Sequence, residues 1–303
     1  MTISFIICTY NREKYIYECL SRLAKNTVRT DWEIVLVDNN STDSTALECN
    51  RFHTDFPSVN YRYFLEKQQG LSFARNRGIQ EAKGDWLVFL DDDAFVEPDY
   101  IKRLQQHIQN LTDMAAFGGK ILPLLENGHT PEWLGRWTMI WLSALDMGSR
   151  VKRFTGKQYP IGANMGIARK TAEQIGFFDT NLGRKGKNFI GGEEKDYFSR
   201  IKRLQRPVYY LPDIAVRHCI PASRTTDEYI RKLGRGTGAS ERLRTRSKGA
   251  TAYAAALLKE SFKWLASLLL CAGYILTLHP VKGTKLILFR AEVTKGLLEK
   301  EAD

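Results

Sequence analysis

Leu87-Val88-Phe89-Leu90-Asp91-Asp92-Asp93 constrains the fold of this chain more than any other stretch, because an unbroken apolar run stops at three adjacent carboxylates. A run without two-residue alternation has no water-facing side, so it predicts a strand covered on both faces, as in a parallel sheet flanked by helices. The carboxylates then stand at the strand's carboxyl end, the edge where open α/β sheets bind ligands. On an extended chain Asp91 and Asp93 point to one side and Asp92 to the other. Two converging carboxylates repel unless a cation lies between them, and a hard divalent ion, Mg²⁺ or Mn²⁺, suits oxygen ligands.

The neighbouring sequence has the spacing of βα units. Ile3 to Cys8, Glu33 to Val37, Asn60 to Leu65, Trp86 to Leu90 and Ala115 to Ile121 predict strands, with amphipathic helices around 13–25, 42–52, 71–82 and 99–109. The pattern is that of a doubly wound α/β sheet. The first two strands end in polar turns, Thr9-Tyr10-Asn11-Arg12 and Asp38-Asn39-Asn40-Ser41-Thr42-Asp43, in which Asn11 and Ser41 are expected as helix N-caps. Asp38 at a strand tip can accept from a base or ribose, and amides at a helix start can meet phosphate. The G-x-G-x-x-G fingerprint is missing after the first strand, and Gly234-Arg235-Gly236-Thr237-Gly238 comes too late to replace it, which argues against a dehydrogenase.

From 122 to 159 the pattern turns irregular. Trp133, Trp137 and Trp141 recur at four-residue spacing, as a core stripe would, with an acceptor-facing aromatic platform as the alternative. Ile161-Gly162-Ala163-Asn164-Met165-Gly166-Ile167 predicts a strand small enough for a ligand to approach. A second acidic cluster, Gly191-Gly192-Glu193-Glu194-Lys195-Asp196, opens a helical stretch over 197–204, where acids also complement the helix dipole. Residues from Asp227 onward read as helical. Within them, 264–278 is apolar over a length short of the roughly 20 residues a spanning helix needs, so a buried or interfacial helix is expected. Lys282 to Lys295 mixes apolar residues with lysines in the manner of a membrane-surface helix.

Charge divides the chain. Residues 1–199 hold 25 Lys and Arg against 25 Asp and Glu, whereas residues 200–303 hold 20 against 9, so the net charge of +11 is C-terminal. A basic region of this kind serves nucleic acid, an anionic bilayer or a phosphate-bearing substrate. No recognised nucleic-acid-binding motif accompanies it, so no nucleic-acid partner is expected. The five cysteines form no C-x-x-C pair and are odd in number, which argues against a disulfide framework and suits a reducing cytoplasm. The first residues lack the charged lead and cleavage site of a signal peptide and read as a strand.

Taken in order, SFIICTYNR, IVLVDNNSTDST, GLSFARNRGI, WLVFLDDDA, IGANMGIARK and GGEEKDYFSRIKR resemble the family 2 glycosyltransferases of the GT-A fold over roughly residues 2–220. The resemblance implies a Rossmann-like, mixed and mostly parallel sheet flanked by helices, with a helical C-terminal extension. It implies a GT-A catalytic domain over 1–220, with a nucleotide-binding half at 1–120 and an acceptor-binding half at 121–220, followed by a basic helical region at 221–303. It further implies an inverting transferase that uses a nucleotide-diphospho-sugar and Mg²⁺ or Mn²⁺.

The family's roles fall on matching positions. Thr9, Tyr10 and Asn11 match the first nucleotide-contacting loop, Asp38 the residue that reads the base, and Arg75 a residue near the nucleotide. Asp93 matches the direct metal ligand and Asp91 lies closer to the ribose, with Asp92 in the variable middle of the D-x-D motif. His218 matches a further metal ligand. The family's acidic pair usually reads Glu-Asp; here it is Glu193-Glu194, which puts Glu194 at the position of the catalytic base and Glu193 beside it. Asp38 favours a pyrimidine donor, UDP before dTDP. The acceptor implied is a glycan or lipid-linked glycan of a bacterial cell surface, made in the cytoplasm with peripheral contact to an anionic membrane. Rival expectations are a non-catalytic sugar-nucleotide or glycan-binding protein of the same fold and a sugar-phosphate nucleotidyltransferase, whose Gly-rich basic loop after strand one is absent here.

Overall fold

The computed structural model of the protein describes residues 1–26, 31–184 and 191–299. The first half alternates strand and helix: β1 (Ile3–Thr9), α1 (Ile16–Ala24), β2 (Trp32–Asp38), α2 (Thr45–Asp55), β3 (Tyr61–Leu65), α3 (Leu71–Glu81) and β4 (Trp86–Asp91). There follow β5 (Ala94–Val96), α4 (Tyr100–Asn110), β6 (Ala116–Leu125), β7 (Lys152–Arg153), β8 (Asn164–Ala168), α5 (Arg169–Ile175), α6 (Glu193–Arg203) and β9 (Val208–Ile220). Among the described residues these strands form one sheet in the order β3-β2-β1-β4-β8-β6-β9-β5, with β7 on β9. The pairs β1/β2, β1/β4 and β2/β3 are parallel, whereas β4/β8, β6/β8 and β5/β9 are antiparallel.

Alternate residues of the central strands explain the cover on both faces. Phe5, Ile7, Ile34, Leu36, Val88 and Leu90 enter one core cluster with residues of α1, α2 and α4. Ile6, Val35, Val37, Leu87 and Phe89 enter the other, with residues of α3, α5 and α6. Both clusters are buried, so each strand is covered on two sides and its register is strongly fixed. β8 begins three residues later than the sequence pattern suggests. Its Gly166 makes room for the Phe117 ring of β6.

The chain divides into two compact units, one of Met1–Leu124, Ser143–Asn181 and Glu193–Cys219, the other of Leu125–Leu142, Leu182–Gly192 and Ile220–Asp303. The second contains α7 (Asp227–Arg246), α8 (Ala250–Leu276) and α9 (Pro280–Leu298). Thr226 caps α7 by accepting from the Tyr229 amide. A Cβ at Gly238 of α7 would collide with the Val293 carbonyl of α9, and one at Gly296 with the Arg235 carbonyl. The Gly-Arg-Gly-Thr-Gly run is therefore a close helix crossing.

Two expectations for this unit are corrected. Trp133 and Trp141 are buried, with Trp141 stacked on Phe289 at 4.6 Å, but Trp137 is 51% exposed. Residues 131–142 are turns ending in a short 3₁₀ segment, Met139–Leu142, so four-residue spacing does not place the three indoles on one face. The stretch 282–295 is no surface helix either. It lies within α9, whose Leu286, Val293 and Leu297 are buried. It is α8 that presents apolar side chains to solvent. Among the described residues no helix is long and apolar enough to cross a membrane.

Candidate active site

Register assembles the site. Thr9 pairs with Asp38 across β1 and β2, and Cys8 with Asp91 across β1 and β4, so three polar strand tips stand together at the carboxyl edge. The two turns beyond them are tied to each other. Asn11, at φ 54°, donates its amide to Ser41 Oγ (3.0 Å) and accepts on Oδ1 from the Thr42 amide (2.8 Å). The Arg12 amide donates to Thr45 Oγ1 (2.8 Å). The expected N-caps are thus corrected: α1 and α2 are preceded by Tyr15 and Ser44, while Asn11 and Ser41 bond across 30 residues to fix the mouth of the cleft.

Asp38 is buried, and its carboxylate accepts from the Ser41 amide (2.8 Å) and from the Tyr63 hydroxyl (2.7 Å). These bonds orient it. Tyr10 stands 38% exposed on the same edge. Tyr63 was not anticipated from sequence; its one sign is an aromatic at an alternating position of a short strand.

The triple carboxylate is no continued strand. β4 ends at Asp91, and residues 92–93 turn into β5. β5 pairs with β9 so that Ala94 faces His218, which brings His218 Nε2 to 2.9 Å from Asp93 Oδ1, both side chains almost wholly buried. One ligand atom from each of Asp91, Asp93 and His218 lies within 4.8 Å of the others. Two carboxylates and an imidazole match a divalent ion of mixed oxygen and nitrogen preference. Asp92 turns aside to Arg12, whose Nε is 3.2 Å from Asp92 Oδ1 and whose Nη2 is 3.7 Å from Asp93 Oδ2. Burial pushes the Asp92 carboxyl up to about 6, against the opposing pull of Arg12.

Arg75 of α3 joins this group to the second acidic cluster. Its buried guanidinium places Nη1 3.0 Å from Glu193 Oε1, and Nη2 3.3 Å from Glu194 Oε1 and 3.9 Å from Asp91 Oδ1. Burial opposes its charge, but Glu194, Glu193 and Asp91 together outweigh that and hold it protonated. The planar guanidinium presents separate donors in fixed directions to these carboxylates, whereas a lysine would offer a single point charge. Gly162 makes this possible, since a Cβ there would collide with the Arg75 guanidinium. The Gly162 amide also donates to Glu194 Oε1 (3.1 Å).

The two glutamates differ. Glu193 is 4% exposed, and its Oε2 has no hydrogen-bond partner among the described residues. Glu194 keeps 20% of its side chain exposed. Burial, then the neighbouring charge of Glu193, push the Glu194 carboxyl up to about 7 despite Arg75. A carboxylate in that range is suited to taking a proton near neutral pH. Removing the cation would strand Glu193, and breaking a buried pair in this way costs about 3–5 kcal/mol. Arg75→Met is therefore expected to lower the thermal midpoint by about 10 °C, taking roughly 2–4 °C per kcal/mol for a chain of this size. Differential scanning calorimetry checks this; an unchanged midpoint would show that Glu193 is not held by Arg75.

Comparison with known proteins defines the class and then the family. The mannosyltransferase PcManGT from Pyrobaculum calidifontis, solved with GDP-Man and Mn²⁺, superposes with a TM-score of 0.66 at 18% identity over 99% of this chain and 88% of that one. The likeness shows a GT-A fold. The family model described as glycosyl transferase family 2 matches residues 4–176, more than half the chain, and the protein belongs to that family. It is 26% identical over 243 residues to a glucosyl-dolichyl phosphate glucuronosyltransferase of Haloferax volcanii, spanning 76% of this chain and 73% of that protein. It is 31% identical over 115 residues to the putative glycosyltransferase EpsH of Bacillus subtilis, 37% of this chain, and spans about a third (32%) of that relative's length. The chain is a glycosyltransferase.

Proposed function

We propose that the protein transfers a sugar, with inversion, from a UDP- or dTDP-linked donor to a hydroxyl of a glycan or lipid-linked glycan acceptor during cell-surface polysaccharide synthesis on the cytoplasmic side of the membrane. The observation that carries this reading is the convergence of Asp91, Asp93 and His218 beside Arg75, which ties them to Glu194. A metal-holding end and a proton-accepting end then belong to one cleft.

In this reading Thr9, Tyr10, Asn11 and Asp38 receive the base and ribose, and Asp91 faces the ribose. Asp93 and His218 would hold a divalent ion, whose chemistry is to neutralise a leaving diphosphate. Arg75 adds a fixed positive charge at the same place, aimed where negative charge develops. Glu194 accepts the proton of the acceptor hydroxyl as its oxygen attacks the anomeric carbon. The anomeric C–O bond to the diphosphate breaks on the opposite face, and the nucleoside diphosphate leaves with the electron pair. Glu193 is a positioning residue that holds Arg75.

Titration calorimetry with UDP, dTDP, GDP and CMP, each with Mn²⁺ or with EDTA, tests the reading. Binding of UDP or dTDP that EDTA abolishes is expected. GDP bound in preference would reject the pyrimidine assignment of Asp38, and no binding by any nucleotide would reject a donor site at these strand tips.

A further inference from the structure

Helix α8 is built inside out. Its buried positions include Glu260 and Ser267, while Leu258, Phe262, Leu265, Leu269 and Leu276 are each more than half exposed. Glu260 is held inward by Arg290 of α9 at 3.0 Å, and Trp264 Nε1 donates to Thr294 Oγ1 at 2.8 Å. The same side carries the buried Ala256 and packs Leu270 and Tyr274 on the core cluster that includes Trp141 and Leu286, so the opposite face points outward. The exposed residues recur at steps of four, three, four and seven residues, which keeps them on one face of the helix. Leu278, just beyond the helix, is 89% exposed. Contiguous apolar faces rimmed by polar residues mark interaction surfaces, whereas singly scattered apolar residues do not.

Charge selects the occupant. Among residues 220–303 there are 15 Lys and Arg against 8 Asp and Glu. Lys259 and Lys263 flank the stripe at helical spacing, and Lys248 precedes it. Neither Lys248 nor Lys259 has an ion-pair partner among the described residues. A second copy docked on this face would bring like charges together. An anionic lipid surface complements both the stripe and its cationic border. We propose that α8 lies in the plane of an anionic bilayer, with Leu258, Phe262, Leu265, Leu269 and Leu276 in the acyl boundary and its flanking lysines among the headgroups. The proposal deepens the lipid-linked acceptor reading, on which it does not depend for its test.

Flotation of the full chain with vesicles of phosphatidylcholine alone, or of phosphatidylcholine with 30% phosphatidylglycerol, is the experiment. The expected result is flotation with the anionic vesicles, at least about tenfold weaker for Leu265→Glu/Leu269→Glu and weakened by salt. Should that double variant misfold by circular dichroism, Leu269→Ser is compared instead and is expected to weaken binding in the same sense. No flotation of the parent, or equal flotation of parent and folded variant, overturns the proposal. So does a parent dimer in light scattering that the variant abolishes without any lipid dependence, which would assign the face to a second copy. Metal-dependent nucleotide binding, measured in parallel, stays intact if only the membrane assignment fails.

Discussion

Glu194→Gln is expected to lower kcat by about 10² to 10⁴ while the donor KM stays within a few-fold. The amide keeps the volume of the side chain and can still meet Arg75 and the Gly162 amide, but it cannot take a proton. Loss confined to kcat is the signature of an interaction used in the transition state. The same residue sets the pH dependence. Its carboxyl is pushed up to about 7, so the base-competent anion is lost as pH falls through that value and gained as pH rises. Turnover in the parent should therefore climb through about pH 7 and level above it. In Glu194→Gln the residual rate should lose this ascending limb. A parent-like rate in the variant would remove Glu194 from the chemistry, and an unchanged limb would assign the titration to another group.

Asp93→Asn should be nearly as damaging by a different route. Asp93 is buried, touches the His218 imidazole at 2.9 Å and is one of three groups that can share an ion. The substitution removes a charge from the ligand set and weakens the hold on the imidazole. An ion bound to a leaving group supplies several kcal/mol, so kcat/KM is expected to fall by at least about 100-fold. Mn²⁺-dependent nucleotide binding should go with it, and added Mn²⁺ should recover part of the loss. Activity that is equally insensitive to EDTA in parent and variant would count against a metal at Asp93.

The sheet was legible because burial on both faces leaves its mark on every residue of a strand. β1, β2 and β4 could be read from apolar runs, and the acidic ends of β4 and α6 from carboxylates where a run or a helix changes. What could not be read was whatever depends on distant partners. Asn11 and Ser41 look like caps because they sit where caps sit, yet each is used to hold the other's turn. The resemblance puts Arg75 near the nucleotide, but that it holds Glu193, 118 positions later, shows only in the fold. The direction of α8 was equally hidden. Its apolar stretch allows a buried or an interfacial helix, and only the placement of Glu260 beside Arg290 shows which side turns inward.

The pairing of β5 with β9 carries a consequence for how intactness of such a site is judged. His218 reaches Asp93 because it stands opposite Ala94 in an antiparallel ladder, and side chains in a ladder change face with every step. One residue inserted between Val208 and Arg217, if it shifted the register against β5 and was not absorbed as a bulge, would leave each acid and the imidazole in the sequence yet turn the imidazole to the far side of the sheet. A homologue can thus retain every hallmark letter and be inert, and the count of residues along β9 is as diagnostic of a working enzyme as the identity of its ligands.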